Sequence, residues 1–497
     1  MPGLVSTTTI QSVPSGASSP LGAGFNLVNT LIGSGILALP YALKEAGFYP
    51  GIAVMVLVAA LIHCALNTLV LAGRRTGLYK YESVSEAALG RIGYHILGFA
   101  LSVNSIGSCI SYLIIIGDTA SSVAQTLFGI HVLTSRQAVI LVASLVFTLP
   151  LLFFRTLDPL VKPSAISTLC LPVIVLIVAI RGPAYAVPEE PPGTPSTPAW
   201  WGPSFLPAFG VIAFAYSCTQ TCFQSYTTLR VKTMDAWRIS TTFATATAVV
   251  IYLTFSIISY RSFGVLTEPN VLNNFGPDDN LANVARALLA FSLTLTYPMQ
   301  FYPIRDLLAH SLLGLSPTDD EEEENNSRSS LLSGSLQKVK FRVFTIALFA
   351  STLVTALVIE DLGFVFKLIG TAASSLIVFV LPGVIYLVLV SPYSLWPPWS
   401  TKNASINSNG NGNGGDGPIL QQNVVSSGSA VAVAVAAEES TPLLSSSSLT
   451  ADPTDPLNDA HEIREPLLSA VSVLLLAIGC AVFAIGTWGS VADYLKS

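Results

Sequence analysis

Asn29-Thr30-Leu31-Ile32-Gly33-Ser34-Gly35-Ile36-Leu37-Ala38-Leu39-Pro40-Tyr41 lies inside the first long apolar run of the chain, Leu21 to Leu43. Gly33-Ser34-Gly35 puts two poor helix formers and a hydroxyl in the middle of what should be a spanning helix, and Pro40 is expected to weaken its far end. A glycine costs about 1 kcal/mol relative to alanine in a helix interior. Breaking a helix at bilayer depth frees backbone N–H and C=O groups, which is tolerated only where they are buried in protein or line a cavity. The stretch therefore predicts a discontinuous helix whose bare backbone ends hold a small zwitterion. The competing reading is a close helix–helix contact through small residues.

Composition sets the class. Of 497 residues, 51% are hydrophobic and only 10% charged, with mean hydropathy +0.63. Soluble domains carry about 25% charged residues, so a polytopic membrane protein is expected. The net charge of −6 is concentrated in polar loops, and no basic patch interleaved with aromatics points to nucleic acid. The six cysteines fall in apolar runs, which argues against a disulfide framework. Cys218 and Cys222 have helical spacing, but no His or carboxylate accompanies them as a metal-ligand set would require. No cofactor is expected beyond a coupling sodium ion or proton. The uncharged first twenty residues lack the basic start and short apolar core of a signal peptide.

Apolar runs long enough to span a bilayer number eleven: 21–43, 50–72, 94–127, 136–154, 163–181, 203–226, 237–260, 281–303, 341–359, 363–390 and 467–491. The third is too long to stand upright, so it is expected to tilt. Placing the N-terminus in the cytosol puts sixteen Lys and Arg on inside segments and six outside, the bias that sets orientation. The domain reading is a disordered cytosolic segment 1–20, a ten-helix core over 21–390, a disordered low-complexity loop over 391–466, and an eleventh span with a short lumenal tail over 467–497. Within the core, 315–337 forms an acidic cytosolic loop around the six acids Asp319 to Glu324. In the long loop, Glu439-Ser440-Thr441-Pro442-Leu443-Leu444 has the form of an acidic dileucine signal. It would bind a sorting adaptor and send the protein to a vacuolar or lysosomal membrane, the plasma membrane being the alternative.

A second interruption falls in the sixth span, Tyr216-Ser217-Cys218-Thr219-Gln220, five spans after the first. Five is odd, so two five-span halves would be inverted repeats. Interrupted spans at matching places of two halves point to a transporter midplane site. Half-helix N-termini suit a carboxylate and C-termini suit an ammonium or cation. Ser292 and Thr296 share a face of the eighth span and, with Asn29, could form an oxygen site for a small cation. Hydroxyls that bond only their own i−4 carbonyl are the competing reading. Ionisable groups inside spans are functional candidates. His63 could relay protons, Asp118 could couple them, and Lys367 could snorkel toward Glu360 or Asp361.

The N-T-L-I-G-S-G-I-L-A-L-P-Y stretch resembles the opening signature of the amino acid/auxin permease family, in particular its sodium-coupled neutral amino acid transporters and fungal vacuolar amino acid transporters. Ser111 to Asp118, Phe301-Tyr302-Pro303-Ile304-Arg305, and Gly370-Thr371-Ala372 with Phe379-Val380-Leu381-Pro382-Gly383 resemble its third, eighth and tenth helices. The resemblance implies a leucine-transporter-like fold: an all-α membrane protein of eleven helices, a 5+5 inverted repeat plus one. It implies that backbone at Thr30, Leu31, Ile32, Gly33, Ser34 and Gly35 holds the substrate's amino and carboxyl groups. It also implies that Asn29, with Thr294 or Thr296, marks a sodium site. Many relatives have Cys-His in the sixth span where this chain has Cys218-Thr219, which bears on selectivity and on the coupling ion.

The expected function is an alternating-access carrier of neutral amino acids, driven by a proton or sodium gradient, with spans 1, 2, 6 and 7 rocking against 3, 4, 8 and 9. A membrane amino acid sensor with little net transport is the alternative. An enzyme is not expected, because the spans supply no paired acidic or His residues at one depth.

Overall fold

The computed structural model describes residues 16, 18–128, 136–153, 158–185, 201–313, 330–359, 361–391 and 457–496. The acidic run 319–324 and Glu439 to Leu444 lie outside them. The regular elements among the described residues are all helical, apart from one isolated bridge between Ser18 and Leu229. Among the described residues, seven helices are long and apolar enough to cross a membrane, and eight if the bent first pair is one span.

The chain opens on a strap. Ser18 N–H donates to Thr228 O at 2.9 Å, and Arg230 N–H donates to Ser18 O at 2.9 Å. Helix α1 (Pro20–Leu31) follows, its first turn capped by the Ser19 hydroxyl with Pro at its start. A 3-10 turn over Ser34–Ala38 leads into α2 (Leu39–Ala46), and the two halves are bent by 56°. Pro40 does not weaken this segment. It sits in the first turn of α2, where its missing N–H has no intrahelical partner to lose.

Helix α3 (Phe48–Thr76) ends at Gly77 in the left-handed region, φ 73°. Helix α4 (Tyr81–Phe128) begins well before the apolar run 94–127 and is broken at Gly90, φ 67° and ψ −159°. Polar Tyr81 to Leu89 is helical but not apolar, so hydropathy alone missed it. Next come α5 (Arg136–Ala143), a π turn over Ser144–Thr148, the short α6 (Leu149–Leu151) and α7 (Asp158–Arg181). The sixth span is split into α8 (Phe205–Ala215) and α9 (Cys222–Thr227), with a 3-10 turn over Thr219–Thr221 between them. The remaining helices are α10 (Met234–Phe263), α11 (Asn280–Leu313) and α12 (Ser330–Val358). They are followed by α13 (Leu362–Leu368), α14 (Leu381–Leu389), α15 (Leu457–Ala481) and α16 (Thr487–Lys496).

Helix α11 runs through Pro298 and Pro303. Between α13 and α14 lie two π turns, Ile369–Ser374 and Leu376–Val380. Such turns shift the backbone register and leave carbonyls without their i+4 donor.

Packing divides the helices. α1 lies along α10, α2 along α8, and α3 along α10, so the first, second, sixth and seventh spans touch one another. α4 and α7 both lie along α11, and α5 lies along α4. The α13–α14 span bridges the groups by packing on α8, α3 and α4, and α15–α16 covers its outer side. Gly370 makes a close approach: a Cβ there would stand 2.1 Å from Gly210 O, so backbone of the π turn presses on backbone of α8.

Candidate functional site

The two breaks are built alike: helix, two or three non-helical residues, a 3-10 turn, then helix. In the first, Gly33 has extended backbone at φ −111° and ψ −167°, and Gly35 enters the 3-10 turn. In the second, Tyr216 and Ser217 leave the helical path after Ala215, and Cys218 precedes the turn. The breaks face each other, because a Cβ on Gly35 would stand 2.8 Å from Ala215 Cα. Only Gly allows that approach. Gly33 is the opposite case. The nearest heavy atom to a Cβ there would be Thr30 O at 4.0 Å, so this position borders open space.

Tyr252 of α10 joins the breaks. Its hydroxyl lies against Ala215 O at 2.9 Å and against Leu31 O. These are the last carbonyls of α8 and α1, which no intrahelical N–H satisfies. The Tyr216 ring meets the Tyr252 ring edge-on, with centroids 4.7 Å apart. Several buried oxygens of the second break have no hydrogen-bond partner among the described residues: Tyr216 Oη, Ser217 Oγ and Gln220 Oε1; the same holds for Ser256 and Ser259 Oγ, further along the helix that carries Tyr252. Native interiors leave few such groups, and each asks for a bound water, ion or ligand.

The sequence-predicted residues divide. Leu31, Ile32, Gly33, Ser34 and Gly35 form the first break, with only the backbone of Ser34 described. Thr30 is still helical, and its hydroxyl donates to Asn26 O at 3.1 Å. Tyr216, Ser217 and Gln220 carry the partnerless oxygens, and Cys218 is fully buried beside them. Thr219 turns away: its hydroxyl donates to Ile377 O at 3.3 Å, and the Tyr81 hydroxyl donates to the same carbonyl at 2.7 Å. That carbonyl belongs to the second π turn.

Thr294 and Thr296 donate to Ala290 O and Ser292 O on their own helix, both at 2.8 Å, so their hydroxyl protons are internally satisfied. Asn29 lies on α1, half-buried. Asp118 holds Arg136 Nε at 2.6 Å, joining α4 to α5. His63 Nε2 meets Asn67 Nδ2 at 3.2 Å on the same helix. Lys367 does not snorkel toward Asp361. Its Nζ is buried and pairs with Glu45 Oε2 at 2.7 Å, so α13 is tied to the end of α2. Lys367 also stands 5.4 Å from the centre of the Tyr41 ring.

Sequence reasoning overlooked Tyr252, Ser256, Ser259 and Glu45. A signal for the first three existed: they sit at i, i+4 and i+7 of an apolar span and so share one face. Glu45 had no comparable signal.

Two facing helix breaks around buried, partnerless oxygens define an all-helical membrane protein with a polar centre suited to a small molecule. The family model described as "Transmembrane amino acid transporter protein" matches residues 16–407, most of the chain. The chain belongs to that family. It is 31% identical to a mouse protein named putative sodium-coupled neutral amino acid transporter 11, over 75% of this chain and 79% of that one. It is 28% identical to vacuolar amino acid transporter 2 of Saccharomyces cerevisiae, over 75% of this chain and 77% of that one. It is also 28% identical to rat sodium-coupled neutral amino acid transporter 7, over 74% and 79% respectively.

Proposed function

We propose that the protein is a secondary active carrier of neutral amino acids that works by alternating access. The observation that carries this reading is the pair of breaks in contact, the second of which holds buried oxygens without partners among the described residues. An amino acid is a small zwitterion. Its carboxylate finds the unpaired N–H groups where the second halves begin, and its ammonium finds the free oxygens of Tyr216, Ser217 and Gln220. Cys218 and the backbone of Thr30 to Gly35 complete the wall, and Thr219 positions the second break through Ile377. No charged side chain is needed, and neither break contains one.

The architecture we propose is eleven spans, two inverted five-span halves and one further helix. Its support is the matching order of elements in the two breaks. The packing of spans 1, 2, 6 and 7 on one another, more extensive than their packing on the group around α4 and α11, supports a rocking bundle. Sodium coupling is supported by the two relatives named as sodium-coupled transporters, with Asn29 and Thr294 or Thr296 as the sodium candidates; for proton coupling the candidate is Asp118. The vacuolar relative favours an internal membrane. No observation among the described residues favours the sensor alternative.

The test is uptake of labelled amino acids into proteoliposomes with an imposed pH gradient and, separately, a sodium gradient. Accumulation that collapses with one gradient identifies the coupling ion. Absence of gradient-driven uptake for every amino acid sinks the carrier reading.

A further inference from the structure

Helix C-termini each carry roughly half a negative charge on their unsatisfied carbonyls. At the breaks two of them converge, since Leu31 O ends α1 and Ala215 O ends α8, and both lie against one atom, Tyr252 Oη. Leu31 O also accepts from Gly33 N–H at 2.8 Å. Tyr252 is fully buried, with its ring held edge-on by Tyr216. Two carbonyl ends pointing at one place in a dry interior need positive charge between them, and a small alkali cation would supply it. A phenol supplies it differently. It is neutral and carries one O–H proton, which two acceptors can share.

We propose that Tyr252 is a positioning residue whose hydroxyl stands in for a cation between the two breaks, so that no alkali ion binds to the Leu31 and Ala215 carbonyls. The inference rests on the proposed carrier reading, because it assigns the breaks a role in holding substrate. It goes further by placing any sodium dependence elsewhere in the molecule. The hydroxyl ties α1, α8 and α10 through one atom, so the two breaks keep a fixed spacing whichever ion drives transport. Removing the O–H leaves Ala215 O without a donor and Leu31 O with Gly33 N–H alone, and the vacated place beside these two carbonyls then fits an alkali cation.

The experiment compares wild type with Tyr252→Phe in sodium chloride, potassium chloride and choline chloride at equal ionic strength. Two readouts are taken: amino acid uptake in proteoliposomes and the thermal unfolding midpoint in detergent. Tyr252→Met, also without a donor but more flexible, is measured in the same way in case the Phe variant fails to insert. The expected result is lower uptake in choline, restored by sodium, with the sodium-to-choline uptake ratio raised about tenfold over wild type, the scale expected when a buried acceptor loses its donor. The unfolding midpoint of the variant should rise in sodium by more than that of wild type. A donor-free variant with the wild-type cation response in both readouts overturns the proposal. If wild type itself shows no uptake, the carrier reading fails, and the cation response of the unfolding midpoint still decides the role of Tyr252.

Discussion

Gly35 rests on Ala215 so closely that a Cβ at the first would lie 2.8 Å from the Cα of the second. The two broken spans touch at this point, and Gly33, two residues earlier, borders open space instead. The two glycines should therefore fail differently. Gly35→Ala overpacks a backbone contact and should lower stability by about 1–3 kcal/mol. Gly33→Val meets extended backbone that β-branched residues adopt and should leave the protein inserted and stable. It intrudes into the open space beside the first break, and uptake should drop by at least about an order of magnitude, as expected when binding geometry is displaced. Thermal unfolding and uptake measured on both variants check this. Normal flux through Gly33→Val would mean that the open space does not hold substrate.

The Glu45–Lys367 pair has side chains about one-tenth exposed and spans 2.7 Å. Removing one partner strands a buried charge, so Glu45→Gln should cost about 3–5 kcal/mol. Replacing both, as Glu45→Leu with Lys367→Met, should recover most of that stability, because it removes both desolvation penalties. Unfolding midpoints of the two variants are the measurement. An unchanged midpoint for Glu45→Gln would show the pair to be solvated.

Thr219 and Tyr81 donate to the same carbonyl, Ile377 O. Either alone keeps it satisfied. Thr219→Val and Tyr81→Phe should each cost about 0.5–1.5 kcal/mol, the net value of one hydrogen bond. The double variant leaves the carbonyl bare and should lose more than the sum, with a coupling of at least about 0.5 kcal/mol. Strict additivity in a double-mutant cycle would argue against a shared acceptor.

Asp279 caps the start of α11, accepting from Leu281 N–H at 3.0 Å and Ala282 N–H at 3.1 Å, and pairs with Arg181 at 2.7 Å. Tyr185 donates to it at 3.0 Å. Burial pushes its pKa up, but the hydrogen bonds from Arg181, Ala282 and Tyr185 outweigh burial and hold the carboxyl below the ordinary value. A depressed folded pKa adds stability that is present above the unfolded value, about 3.9, and is lost as pH falls through the folded one. The stability gap between wild type and Asp279→Asn should therefore stay constant from about pH 7 to about pH 5 and shrink below about pH 4. A gap that closes between pH 7 and 5 would contradict this assignment. On the topology proposed here Asp279 faces the lumen, so the contact would persist in an acidified compartment.

Both breaks were legible from residue order. Gly33-Ser34-Gly35 and Tyr216 to Gln220 disfavour helix locally, and the helices stop there. Pro40 misled because a proline weakens a helix only in its interior, and it became a first-turn residue once the chain had already broken at Gly33. The extension of α4 back to Tyr81 was hidden because a polar helix leaves no hydropathy signal. Thr219 lies in the second interruption by residue order, yet its hydroxyl is taken by a carbonyl of the π turn.

What residue order determined, then, was the membrane class, the two interruptions and the family, because backbone propensity and apolar run length act over a few residues. Only the tertiary structure decided the partners: Glu45 for Lys367, Arg136 for Asp118, and Tyr252 for the carbonyls of Leu31 and Ala215. Glu45 and Lys367 are 322 positions apart, and which helices become neighbours depends on how every span packs against all the others.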